Sequence, residues 1–263
     1  MLTIIVNKNA QYINCHLGNW IKHNLVTVTF NDKDDQLWWI NKENDILIWQ
    51  SDEQYNGKGI CLYDINCNYK ITMNTVFPNT IPSFYWSRDE NQLMKFIEQN
   101  KYRSYNERPI TSIFLGSIQD SYQGSFRTTY DWKEYIDEFY LSKGGINSHK
   151  YNQQEYYEML SKSKFGLTLR GGGPKCWRDI EYLALGTVLI VTDGVDVNNY
   201  HNPLVENIHY IKCVDPKNLQ LSISKISEKQ WENMSKECIK WYEKNCRYDG
   251  SIKILEEIVS KLN

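Results

Sequence analysis

No stretch of the 263-residue chain approaches the ~18 consecutive apolar residues of a membrane span. The opening "MLTIIVNKNA" has too short an apolar run for a secretory signal. No Cys-x-x-Cys pair occurs among Cys15, Cys61, Cys67, Cys176, Cys213, Cys238 and Cys246, which excludes a zinc ribbon and a thioredoxin-type motif. Their irregular spacing reads as free thiols in a reducing compartment. A dominant charge of one sign is missing too. The formal net charge of -2 argues against a broad nucleic-acid footprint. Neither G-x-x-x-x-G-K-[ST] nor G-x-G-x-x-G is present, so the two commonest phosphate-cradling loops are absent. There is no internal repeat and no low-complexity tract. These absences lead us to expect a soluble, cytoplasmic protein that neither spans a membrane nor binds nucleic acid. Abundant Asn, Lys, Ile and Tyr point to an AT-rich genome, such as that of a large virus acting in its host's cytoplasm, a protist or a low-GC bacterium.

What is there is an alternation of strand-like and helix-like segments. Residues 2–6, 25–30, 45–50 and 59–64 read as strands, and 10–23 and 90–102 as helices. The composition changes at "NERPITSIFLGS" (106–117), where a proline precedes an apolar run, and a domain boundary is expected near residue 105. Beyond it, 131–141 and 152–163 read as helices, the latter capped by Asn152. Residues 164–170, 187–193 and 209–214 read as strands, and 226–245 and 251–262 as helices. "TVLIVTD" (187–193) is apolar throughout, as a strand buried on both faces should be. Alternation of this kind predicts an α/β protein with parallel sheets. Two such runs in series predict two small Rossmann-like lobes, residues 1–105 and 106–263, facing a cleft.

The segment "TLRGGGPKCWRDIEYLALG" (168–186) carries the strongest chemical signal. A strand ends at Arg170, and Gly171, Gly172 and Gly173 form a turn. Pro174 suits the first position of a helix, and Gly186 stops that helix. Bare backbone and a helix N-terminus at the carboxyl end of a parallel strand are where α/β sheets bind anions. Arg170 and Lys175 flank the loop. Lys175, Arg178, Tyr182 and Leu185 are expected to share one face. Trp177, Ile180, Leu183 and Ala184 are expected to pack on the sheet. Glu181 lies three residues beyond Arg178, within reach of it. The ligand described is a phosphate or diphosphate, with a carboxylate placed to meet a ribose. The alternative is a plain glycine turn with a surface ion pair.

"SKSKFGLTLRGGGPKCWRDIEYLALGTVLIVTD" resembles the donor-binding region of exostosin-type and related GT-B glycosyltransferases. The residues that carry the likeness are Phe165, Leu167, Arg170, Gly171, Gly173, Arg178, Glu181, Leu185, Gly186 and Val191. The similarity spans about 110–225 and is most specific over 164–193. It implies a compact GT-B-like α/β fold with an acceptor-side N-terminal lobe and a nucleotide-sugar-binding C-terminal lobe. It implies that the arginines and loop amides hold a nucleotide diphosphate and that Glu181 holds the ribose. It also brings in a second arginine, Arg127, whose alternative is a solvated loop position. Asp193, at the end of its strand and at the cleft edge, joins the donor-binding set, with a plain turn residue as the alternative.

An inverting enzyme of this kind draws its base from the first lobe, where Asp52, Glu53 and Asp64 follow predicted strands. Turn acids are the alternative for all three. No metal or other cofactor is implied, because basic residues can neutralise the leaving group. The expected partners are a nucleotide sugar as co-substrate and a glycan or small-molecule acceptor. A non-catalytic nucleotide-sugar-binding or phosphate-binding protein is the second reading. A Rossmann-type oxidoreductase is a third, disfavoured by the missing glycine fingerprint.

Overall fold

A computed structural model describes residues 2–7, 22–31, 37–40, 46–50, 60–63, 87–118, 121–144, 148–171, 175–198 and 200–260. The chain divides into two compact units. The first takes in Met1–Trp86, Asn198–Pro203 and Glu243–Asn263, and the second Ser87–Val197 and Leu204–Tyr242.

In the first unit, β1 (Leu2–Asn7), β2 (Val26–Asn31), β3 (Leu37–Ile40), β4 (Ile46–Gln50) and β5 (Ile60–Tyr63) form one sheet in the order β2-β1-β3-β4-β5. The pairs β1/β2 and β4/β5 are parallel, whereas β3 runs antiparallel to both β1 and β4. This sheet is therefore mixed, not parallel as expected. The reason is β3 itself, a four-residue strand "LWWI" that the alternation argument passed over. Only residues 41–45 separate it from β4, too short a connection for a parallel crossover. The helix expected over 10–23 lies almost wholly outside the described residues.

The second unit carries the parallel sheet. Helix α1 (Glu90–Gln99) precedes β6 (Ile110–Ser117). Then come α2 (Ser121–Arg127), β7 (Glu138–Ser142), α3 (Gln153–Ser161), β8 (Ser163–Thr168) and α4 (Trp177–Ala184). After these follow β9 (Val188–Val191), β10 (Tyr210–Lys212), α5 (Leu219–Ser224) and α6 (Glu228–Asn245). Helix α7 (Tyr248–Ser260) belongs to the first unit. The strand order is β10-β9-β8-β6-β7, and every neighbouring pair is parallel. The arrangement is compatible with a Rossmann-like fold. The chain steps from β6 to β7, returns to the other side of β6 for β8, and continues outward. Right-handed crossovers then put the connections on opposite faces of the sheet, with the direction changing between β6 and β8.

Local sequence explains most of these elements. Asn152 caps α3 by accepting from Glu155 N–H at 2.9 Å, and Glu155 answers on Asn152 N–H at 3.0 Å. Gly186 ends α4 at φ +67°, where a Cβ would also strike Ser235. The helix expected over 131–141 is absent. Its place is taken by a 3-10 turn at Trp132–Glu134 and by β7. Buried Trp132 and Ile136 stand four apart and mimic helical spacing. The aromatic run "EFYLS" then pairs with β6, and Phe139 stacks on Phe114 at 5.1 Å in register.

At the amino edge of this sheet, Arg108 is 1% exposed. Its guanidinium donates to the carbonyls of Arg103 (3.0 Å), Ser163 (2.8 Å) and Leu185 (2.8 Å), and to Thr187 Oγ1 (3.1 Å). It stacks on the rings of Trp231 and Tyr102, 4.9 and 5.6 Å from their centroids. Burial pushes its pKa down to about 10, so it keeps its charge at neutral pH. Arg108→Met leaves three carbonyls without that donor, and we expect it to cost roughly 3–5 kcal/mol of stability. Urea denaturation of the purified variant checks this; a loss below ~1 kcal/mol would contradict the assigned role.

Candidate functional site

The pairing of β6 with β8 stops early. It runs from Ile110↔Ser163 to Ile113↔Gly166, while β6 continues with β7 to Ser117 and β8 continues with β9 to Thr168. Past Ile113, the β6 carbonyls on that edge need other donors. Side chains supply them in sequence. Tyr182 Oη donates to Ile113 O at 3.1 Å. Arg178 Nη1 donates to Leu115 O at 3.1 Å, and its Nη2 reaches Leu169 O, beyond the end of β8, at 3.4 Å. Arg127 donates from Nη1 to Ser117 O and from Nε to Arg170 O at 3.3 Å. Ile113, Leu115 and Ser117 alternate along one strand, so their carbonyls point the same way. Two guanidiniums thus bridge the fork between β6 and β8 at the carboxyl edge of the sheet.

Both arginines are buried, Arg127 at 7% and Arg178 at 6% exposure. The Arg178 guanidinium lies 4.2 Å from the centroid of Phe114. Gly116 makes room for it, because a Cβ there would stand 2.9 Å from Arg178 Nη1. Burial, and then the neighbouring Arg178 charge, lower the pKa of Arg127. Among the described residues neither arginine forms a carboxylate ion pair, and the Nε of Arg178 is buried without a partner.

Helix α4 starts at Trp177 with Cys176 as its cap, three residues later than a Pro174 start predicts. Gly172, Gly173 and Pro174 lie outside the described residues. Asp179 reaches back to accept from Cys176 N–H at 3.1 Å, and its other oxygen is buried without a partner. Burial raises the Asp179 pKa to about 6, against the opposing pull of Arg178. Cys176 Sγ donates to Leu169 O at 3.4 Å and lies 3.7 Å from Arg127 Nη2. The thiol, like those of Cys213 and Cys238, is in no disulfide. The expected faces of α4 are not those observed. Arg178 and Tyr182 turn toward the sheet carbonyls, Trp177 is exposed, and 178–184 are buried all round. Past its first residue the helix is enclosed on every side, so a two-faced pattern could not be read from it.

The other expected donor residues fall as follows. Arg127 is a buried bridge at the end of α2 and not a solvated loop arginine. Gly171 is buried against Arg127, whose Nη2 would stand 3.1 Å from an added Cβ. Arg170 is half-buried, its guanidinium 4.3 Å from the Phe126 centroid, and Lys175 is buried. Asp193 is exposed just past β9. Glu181 does not pair with Arg178. Its Oε2 accepts from Tyr156 Oη at 2.8 Å and its Oε1 from Arg88 N–H at 3.3 Å. Burial raises its pKa.

Asp52, Glu53 and Asp64 lie outside the described residues. Asp179, Tyr156, Arg88 and His149 were not read from the sequence. Nothing in the spacing of Tyr156, His149 or Arg88 marks them. Among the described residues no group of three or more His, Cys, Asp or Glu is placed to hold a metal ion, and no helix is long and apolar enough to cross a membrane. One Asp-x-Asp spacing, Asp32–Asp34, occurs in the chain and lies outside the described residues. No protein-family model matches the chain, and no curated protein matches it.

The raised pKa of Asp179 has a defined sign. The folded state holds this proton more tightly than the unfolded chain, so stability falls as pH rises from about 4 through about 6. Asp179→Asn keeps an oxygen for Cys176 N–H and removes the titration. Its stability relative to wild type should therefore improve by about 2–3 kcal/mol between pH 4 and pH 7. Urea midpoints of both proteins at the two pH values test this; a difference that does not change with pH would refute it.

Proposed function

We propose that this protein is a metal-independent glycosyltransferase, moving a sugar from a nucleotide-diphosphate donor to a hydroxyl of a glycan or other acceptor. One observation carries the reading. Arg127 and Arg178 are buried close enough to oppose each other's charge, at the fork between β6 and β8, held by carbonyls and by no carboxylate among the described residues. Open α/β sheets bind ligands at the carboxyl ends of the strands where the connections change direction. Two adjacent buried cations are costly unless an anion joins them. Arg88, Arg170 and Lys175 add positive charge, against the acids Asp179 and Glu181.

In this reading an acceptor oxygen attacks the anomeric carbon, the bond from that carbon to the diphosphate breaks, and the pair of electrons leaves on the phosphoryl oxygen. Arg127, Arg170, Arg178 and the amide at Gly171 neutralise that charge as it develops. A ribose contact by Glu181 uses the lone pairs left over from Tyr156 and Arg88. The GT-B arrangement of two lobes, and a base from Asp52, Glu53 or Asp64, belong to the same proposal. The second reading is a binding protein without catalysis. It has support in the described part of the site, where the carboxylates of Glu181 and Asp179 are both buried.

Inorganic pyrophosphate and nucleoside diphosphates should raise the melting temperature, and nucleoside monophosphates should raise it less. Ligand at 100 times its Kd adds about 2.7 kcal/mol. Arg127→Met, if folded, should weaken pyrophosphate binding roughly ten- to hundredfold. Slow release of nucleoside diphosphate from a nucleotide sugar, surviving EDTA, separates the enzyme from the binding protein. If no nucleoside diphosphate or nucleotide sugar shifts melting, with or without magnesium, both readings fall.

A further inference from the structure

Arg178 Nε is a buried N–H group near this edge without an acceptor among the described residues, and His149 Nε2 is another. His149 lies in the segment after β7, the strand that flanks β6 on the side away from β8. Its Nδ1 accepts from Tyr151 N–H at 3.3 Å, which places the proton of a neutral ring on Nε2. Aromatic rings enclose it. Tyr140 and Tyr156 stand perpendicular at 4.8 and 6.0 Å, and Tyr151 is tilted at 5.7 Å. Tyr156 in turn donates to Glu181, one turn from Arg178 on α4.

The charged and titratable groups around the imidazole are Tyr140 on β7, Lys150 and Tyr151 on its own segment, Tyr156 on α3 and Arg178 on α4. Burial pushes the pKa of the ring down, against the Tyr151 hydrogen bond and with the help of the charges of Arg178 and Lys150. A buried donor left unpaired is costly and calls for a cause. Here two such donors, both able only to give a proton, lie in one neighbourhood. A phosphoryl group offers several acceptor oxygens and no competing donor.

We propose that His149 is a ligand-binding residue of this site, its Nε2–H and the Nε–H of Arg178 donating to phosphoryl oxygens of one diphosphate. The assignment rests on the reading of the fork as a diphosphate site. It extends that site across β6 to the segment after β7. It also gives the ligand a hydrogen bond that strengthens as the ring gains a proton.

Inorganic pyrophosphate is titrated calorimetrically into wild type, Arg127→Met, His149→Phe and His149→Gln. Gln keeps an N–H donor near the position of Nε2, and Phe keeps only the ring. His149→Phe should bind about ten- to hundredfold more weakly, and His149→Gln within about threefold of wild type. The ratio of the Phe variant's Kd to that of wild type should widen as pH falls from about 8 to about 6, and this ratio cancels the ligand's own titration. Should the Phe variant not fold, the imidazole nitrogen resonances of wild type serve instead. Pyrophosphate should move Nε2 of His149 and raise its titration midpoint by about one unit or more. If wild type binds and Arg127→Met weakens binding while His149→Phe or the His149 resonances are unaffected, the His149 assignment alone is overturned. If wild type binds neither pyrophosphate nor any nucleoside diphosphate, the diphosphate reading falls and takes this assignment with it.

Discussion

The early end of the β6–β8 ladder is the constraint on which the second unit depends. Once pairing stops at Ile113 and Gly166, the sheet edge presents carbonyls that hydrogen bonding must satisfy. An ordinary protein interior offers few long donors. Arginine is suited to the task because its planar fork spans two carbonyls at once. Arg178 joins Leu115 to Leu169 and Arg127 joins Ser117 to Arg170. The positive charge of the site is thus a product of how the backbone is satisfied. The proposed anion-binding role would use charge that the fold has already placed there.

The amino edge of the same sheet solves a similar problem with a different outcome. Arg108 also holds carbonyls from separate segments, but it lies between Trp231 and Tyr102 and has a partner on each guanidinium nitrogen. Arg178 has an aromatic ring beside it, at Phe114, and keeps one unpartnered N–H. Arg108 is thus fully partnered, whereas Arg178 keeps a donor to spare at the opposite edge.

The sequence was most legible where one period ruled. The apolar run at β9, the capping box at Asn152 and Glu155, and the glycine that ends α4 all carry a local cause. It misled where two periods overlapped, as at Trp132 and Ile136 ahead of β7, where helical spacing sat over a strand. It was silent on β3, whose four residues show no alternation to read. At the site, Arg127, Arg170, Gly171, Lys175 and Arg178 were legible as types in a pattern, but their partners were not. That Arg178 and Tyr182 turn to the sheet depends on where the β6–β8 pairing stops, which is a long-range fact. His149 and Tyr156 enter through the strand order, which puts the segment after β7 beside a helix that follows β8.

The fork also sets a condition on assembly. β6 and β8 are neighbours in the sheet but are separated in the chain by β7 and α3. Arg178 comes later still, from the helix beyond β8, and its carbonyl partners lie on β6 and just past the end of β8. It can leave water only when both strands are in place. Arg127 lies earlier in the chain, but one of its acceptors, Arg170 O, lies just past β8. Both guanidiniums therefore lose their water only once β6 and the chain leaving β8 have come together, and regain it when that edge of the sheet opens.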